Sequence, residues 1–180
     1  MNALRMRAQL PQLRGTFARE RFVLRFGDGT TKEELLQMGK YSYIDDAAEK
    51  FVRSTQFRMS GFGEREFAII DFNNYATSQE IFDFFLANGL EEPTEEDALR
   101  FALQFPPKSM DRPLVFLHVN NFWLFRSGML EELQPHVLVV GTTQLKKALY
   151  CRALPGGRDH SENSWPTNYR FVARKLRSRK

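Results

Sequence analysis

The chain has 180 residues, of which 42% are hydrophobic, and a formal net charge of +4. A chain of this length buries enough surface to fold without disulfides or structural metal ions. Its single cysteine excludes an internal disulfide and a multi-cysteine zinc site. No apolar run approaches the ~18 residues that a membrane span needs. The sequence therefore predicts a cytoplasmic protein with no membrane partner.

Charge is strongly segregated along the chain. Residues 1–25 carry a net charge of +5, residues 26–145 carry −9, and residues 146–180 carry +8. The basic ends either fold back onto the acidic body or bind an acidic partner, such as nucleic acid or an acidic protein.

Short strands and capped helices are predicted for the first part of the chain. Phe22, Leu24 and Phe26 alternate with polar residues, which indicates a strand with one wet face. Thr31 and Glu34 have the spacing of a capping box, so a brief helix begins there and is predicted to stop at Gly39. The next predicted elements are an extended segment at Tyr41–Ile44, a helix at Asp45–Val52 and a strand at Phe67–Phe72.

Two helices whose ends are marked by capping or helix-breaking residues follow, at Thr77–Leu90 and Thr94–Phe105. Thr77 with Glu80 forms a second capping-box pattern, and Gly89 suits a left-handed residue that ends the first helix. Its pairs Ile81 with Phe85 and Phe82 with Leu86 are spaced to lie on one side, which predicts a packed face. We expect both helices to pack on the same side of the sheet.

Strands dominate the remainder of the predicted domain. Leu114–Val119 is the most hydrophobic strand, and Asn120-Asn121 suits a hairpin turn to a return strand at Phe122–Phe125. Further strands are predicted at His136–Val140, Ala148–Leu154 and Tyr169–Arg174.

The predicted fold is α+β, with a mixed or antiparallel sheet, a helical pair packed on one side and a strand-rich C-terminal half. We assign residues 1–19 to a basic N-terminal arm, residues 20–175 to a single domain, and residues 176–180 to a basic C-terminal tail.

Several stretches resemble a group of small uncharacterised bacterial proteins. They are GKYSYI at residues 39–44, GLEEPTEEDALRF at residues 89–101, QFP at residues 104–106, PLVFLH at residues 113–118 and RFVARK at residues 170–175. The last stretch is similar to the closing strand of that group. No activity is established for the group, so the resemblance implies no catalytic or binding residues.

A cysteine and a histidine are the candidates for catalysis. Cys151 lies on a predicted strand, and His160 lies in the polar loop that follows it, so the two side chains are candidates for a nucleophile and its base in a hydrolase. The competing interpretation is a buried thiol and a solvated loop.

The basic C-terminal segment is the candidate nucleic-acid site. Lys and Arg neutralise phosphates with release of counterions, and Trp165 nearby is a candidate for stacking on unpaired bases. The candidate cations are Arg170, Arg174, Lys175, Arg177, Arg179 and Lys180. The alternative is a tail that is solvated or paired with the acidic body.

No recognisable metal or cofactor motif occurs in the sequence. The acidic residues Glu91, Glu92, Glu95, Glu96 and Asp97 lack the spacing of a calcium loop and are better explained by helix capping and the helix dipole.

The leading functional prediction is a non-catalytic binding or interaction protein. A nucleic-acid-binding protein that uses the basic termini is the alternative, and a hydrolase with a Cys/His pair is the third. The seventeen phenylalanines leave self-association open.

Overall fold

The computed structural model describes residues 13–59, 61–106, 112–117, 122–125, 133–143, 146–154 and 164–176. Within these residues lie four helices: α1 (Lys32–Met38), α2 (Asp46–Arg53), α3 (Ser78–Ala87) and α4 (Glu95–Gln104). Ten strands accompany them: β1 (Gly15–Phe17), β2 (Phe22–Phe26), β3 (Tyr43–Ile44), β4 (Gly63–Phe72), β5 (Leu90–Glu91), β6 (Leu114–Phe116), β7 (Phe122–Phe125), β8 (Leu133–Thr143), β9 (Lys146–Ala153) and β10 (Arg170–Lys175).

All ten strands form one mixed sheet in the order β1-β4-β10-β6-β8-β9-β3. β2 extends β1 along β4, β5 pairs with β10, and β7 pairs with β8. β10 runs parallel to β6, and β3 runs parallel to β9, whereas the other pairings are antiparallel. The α+β fold, the mixed sheet and the strand-rich C-terminal half are thus confirmed.

Local capping chemistry determines where two of the helices begin. The Thr31 hydroxyl accepts from the Glu34 backbone N–H, and the Glu34 carboxylate accepts from the Thr31 N–H at 2.8 Å. Thr77 and Glu80 form the same reciprocal pair. Both predicted capping boxes are therefore confirmed. At the end of α1, however, the left-handed residue is Lys40, whose φ is 48°, because Gly39 keeps helical angles.

The two long helices pack on opposite faces of the sheet, so the predicted one-sided pair is wrong. Side chains of β4 alternate between two buried clusters, with Phe67 in the first core and Ile70 in the second. The first core contains buried residues of α1, α2 and α4, whereas the second contains those of α3 together with Trp165. The chain changes face because β5, between the two helices, pairs within the sheet against β10.

The predicted hairpin between β6 and β7 is also wrong. Phe116 of β6 pairs with Leu138, and Phe122 of β7 pairs with His136, so both strands run antiparallel to β8 along the same edge. β7 therefore continues in the direction of β6. The proposed turn at residues 120–121 lies outside the described residues. None of the described helices has the length and apolar character that a membrane crossing requires.

Candidate binding groove

The described cations of the C-terminal segment contact the body of the protein. Arg174 donates from Nε to the Glu92 carbonyl oxygen at 2.7 Å, and its guanidinium lies 3.2 Å from the Glu91 carboxylate. Lys175 donates to the Glu66 carboxylate at 2.6 Å. Arg170 donates to a backbone carbonyl, that of Arg112, at 3.2 Å. The basic ends were predicted either to fold back onto the body or to bind an acidic partner, and these three residues contact the body. Arg177, Arg179 and Lys180 lie outside the described residues.

Trp165 is a core residue rather than a surface aromatic. Its side chain is 1% exposed, and its ring packs edge-on against Tyr169 and Phe171, with both centroid distances 5.6 Å. The indole N–H donates to the Ser78 hydroxyl at 3.0 Å. The structure therefore does not present Trp165 for stacking on a nucleic-acid base, contrary to its assignment from the sequence.

Cys151 is a partly buried thiol. It lies on β9 and packs against the first core. Burial, and to a smaller extent the negative charge of Asp45, raises the pKa of the thiol well above its usual range. A nucleophilic cysteine needs the opposite shift, because the thiolate is the reacting species. The proposed partner His160 lies outside the described residues.

A buried ion pair between Arg100 and Glu96 lies on α4. From the sequence, Glu96 was explained only by helix capping and the helix dipole, so this pair was not predicted. Arg100 lies 2.6 Å from the Glu96 carboxylate and 3.0 Å from Asp28, and the second Glu96 oxygen accepts from the Gly61 backbone N–H at 2.6 Å. Beside it is a cavity of about 490 Å³, lined by Phe57, Glu96 and Arg100 among others. Because the ion pair already binds Asp28 and Gly61, we interpret it as a clamp that holds two loops on α4.

The neighbouring acid, Asp97, is equally buried. Its carboxylate accepts from the Thr94 backbone N–H at 2.6 Å and lies 3.2 Å from Arg65. Burial raises the pKa of Asp97 despite these contacts. The i,i+4 spacing of Glu96 and Arg100 was the available sequence signal for a pair, but it does not distinguish a buried pair from an exposed one.

A groove of about 580 Å³ lies between α3 and the segment that leads into α4. The outward side of α3 forms one wall, with Phe82 partly buried and Leu86 80% exposed. Only the Ile81 and Phe85 pair is buried in the second core, so the prediction that Leu86 also packs there is wrong. The opposite wall includes Leu90 and residues 91–95.

Carboxylates dominate the polar lining of this groove. Asp83, Glu91, Glu92 and Glu95 line it together with one guanidinium, that of Arg174. Burial is the main cause that raises the pKa of Glu95, with a smaller contribution from the charge of Asp97. Within the described part of the chain, no group of three His, Cys, Asp or Glu residues is arranged to hold a metal ion.

No family model, curated protein or solved structure matches this chain. The resemblance to the bacterial group stays a prediction.

Proposed function

We propose that this chain is a non-catalytic binding protein that uses the groove beside α3 to hold a partner. The observation that carries the proposal is the exposed Leu86 at the groove wall, next to Phe82, which is partly buried against the second core. An amphipathic helix normally directs polar residues outward, yet α3 buries Ile81 and Phe85 and also directs Leu86 into solvent.

The dimensions and lining of the groove support binding. Its volume of about 580 Å³ is in the range of ligand sites in proteins. Covering Leu86, which is 80% exposed, would contribute at most about 1.5–3 kcal/mol, because a partner that packs against it removes its apolar surface from water. The surrounding polar groups supply orientation at the rim.

The chemistry of the lining favours binding over catalysis. Among the described residues that line the groove there is no histidine, cysteine, serine or lysine. The one hydroxyl among them, that of Thr94, lies at the N-cap of α4. The third functional candidate, the hydrolase, depended on Cys151, whose raised thiol pKa opposes it. A reducing compartment suits the single cysteine, and we place the protein in the cytoplasm.

Selection from a random-peptide display library on the immobilised full-length protein tests the proposal. Leu86→Asp introduces a charge into the groove wall, whereas Phe62→Asp changes a side chain that is 84% exposed elsewhere. Peptides that bind the wild type and Phe62→Asp but lose Leu86→Asp would support the groove. Failure to select any peptide, or equal binding to all three proteins, would contradict it.

A further inference from the structure

We infer that the partner segment is a basic amphipathic peptide region of another protein, with aliphatic side chains against Phe82 and Leu86 and with Lys or Arg side chains at the carboxylates. This inference rests on the proposed function of the groove. Helix and strand segments that carry apolar anchors on one side commonly dock in such grooves, and charges at the rim select among them.

The charges of the groove lining determine which partner fits. Four carboxylates against one guanidinium give the lining a net charge of −3. The guanidinium is already used, because Arg174 contacts Glu91 and the Glu92 carbonyl oxygen. At the outer wall, Asp83 accepts from the neutral amide of Gln79 at 2.9 Å, a contact that leaves its negative charge uncompensated. A cationic side chain is the complement of this wall.

The position of Glu95 supports the same polarity. Its carboxyl is partly buried, and burial is the main cause that raises its pKa, with a smaller contribution from the charge of Asp97; its own backbone N–H and the charge of Arg58 act in the opposite direction. A cation placed in the groove would stabilise the Glu95 carboxylate, and this attraction would favour binding.

Other classes of partner match this surface less well. The phosphates of a nucleic acid would meet the carboxylates and be repelled. A second copy that docked groove against groove would bring like charges together, since an isologous contact places the same patch on both sides.

Three fluorescent peptides of equal length serve as probes: one that alternates leucine with lysine, one that alternates leucine with glutamate, and one that alternates serine with lysine. We expect fluorescence anisotropy to show binding of the leucine–lysine peptide to the full-length protein, with weaker binding as salt increases. Asp83→Asn and Glu95→Gln should each weaken that binding about two- to fivefold. Glu49→Gln, at an exposed acid on α2, is the matched control and should leave it unchanged.

Five results would overturn the inference. Equal or tighter binding of the leucine–glutamate peptide would show that the partner need not be basic, although the groove would remain a binding site. Equal binding of the serine–lysine peptide would show that apolar side chains do not contribute to binding. Self-association that Leu86→Asp abolishes in sedimentation experiments would make a second copy the occupant. Binding that occurs only after deletion of residues 177–180 would assign the groove to the chain's own basic tail. If no probe binds and no library peptide is selected, the proposed function fails as well.

Discussion

Arg100 and Glu96 form an ion pair one turn apart on α4, with 2.6 Å between Nε and the carboxylate oxygen and only 5% and 2% of the side chains exposed. A charge pair this deeply buried is not a strong stabiliser relative to apolar packing, because both groups have left water. Replacing only one of the two residues nevertheless destabilises the fold, since the charge of the other stays buried without its partner. The pair also holds Asp28 and Gly61, so it couples two loops to α4.

Arg100→Ala should lower the free energy of unfolding by about 3–5 kcal/mol, because Glu96 loses its buried partner. Urea denaturation measures the change. Arg53→Ala is the matched control: Arg53 and Glu49 have the same i,i+4 spacing at 2.9 Å, but their side chains are 59% and 43% exposed. The control should change stability by less than about 1 kcal/mol. Equal losses in the two variants would contradict the clamp.

Adjacent residues on α3 test which side of the helix is packed. Phe85 is 2% exposed and Leu86 is 80% exposed. Phe85→Ala should cost about 3–5 kcal/mol because it leaves a cavity in the second core. Leu86→Ala should stay within about 0.5 kcal/mol. Thermal or chemical denaturation of both variants decides the matter, and a large loss at Leu86 would place that side chain in the core.

The parts of the fold that local chemistry governs were predictable. The capping boxes of Thr31 and Thr77 mark helix starts because side-chain oxygens three residues apart satisfy specific backbone groups. The strand β5 has only two residues and therefore no periodicity of its own. For this reason the sequence did not predict that the chain crosses there to the other face of the sheet. Spacing placed Leu86 on a helix side with Phe82, but only tertiary structure determines whether anything covers that side.

The same limit applied to the candidate site. Glu96 and Asp97 have the composition of an acidic first turn, and the sequence alone does not distinguish solvated dipole partners from buried ligands of Arg100 and Arg65. The groove joins residues of α3 with Arg174 of β10, which are far apart in the chain. It was therefore visible only in the folded structure.

Cys151 should react slowly with iodoacetamide in the native protein, because burial raises its thiol pKa and little thiolate is present at neutral pH. The reaction is specific, since the chain has one cysteine. Mass spectrometry follows the alkylated fraction over time, and the protein in urea provides the reference for an accessible thiol. Native alkylation as fast as that in urea would restore Cys151 as a candidate nucleophile.

Arg174 should matter for stability rather than for nucleic-acid binding. Arg174→Gln removes the charged donor from the Glu92 carbonyl oxygen and the ion pair with Glu91, and we expect a loss of about 1.5–3 kcal/mol in the free energy of unfolding. A gel shift with salt titration compares this variant with the wild type and with Arg177→Gln. Salt-sensitive retention that Arg174→Gln abolishes, while the protein stays folded, would favour the nucleic-acid alternative.

The pH dependence of stability should report on Asp28. Hydrogen bonds from Arg100 are the largest cause that holds the pKa of this carboxyl well below its usual range, with smaller contributions from Thr30. A depressed pKa in the folded state contributes stability above the unfolded pKa, and that contribution is lost as the pH falls below about 4. We expect no more than about 1 kcal/mol from this group, because its side chain is 55% exposed and solvent screens the charge. Urea denaturation of the wild type and Asp28→Asn between neutral pH and pH ~3 measures it: the variant should lose less stability on acidification, whereas parallel profiles would show that the Asp28 charge contributes nothing.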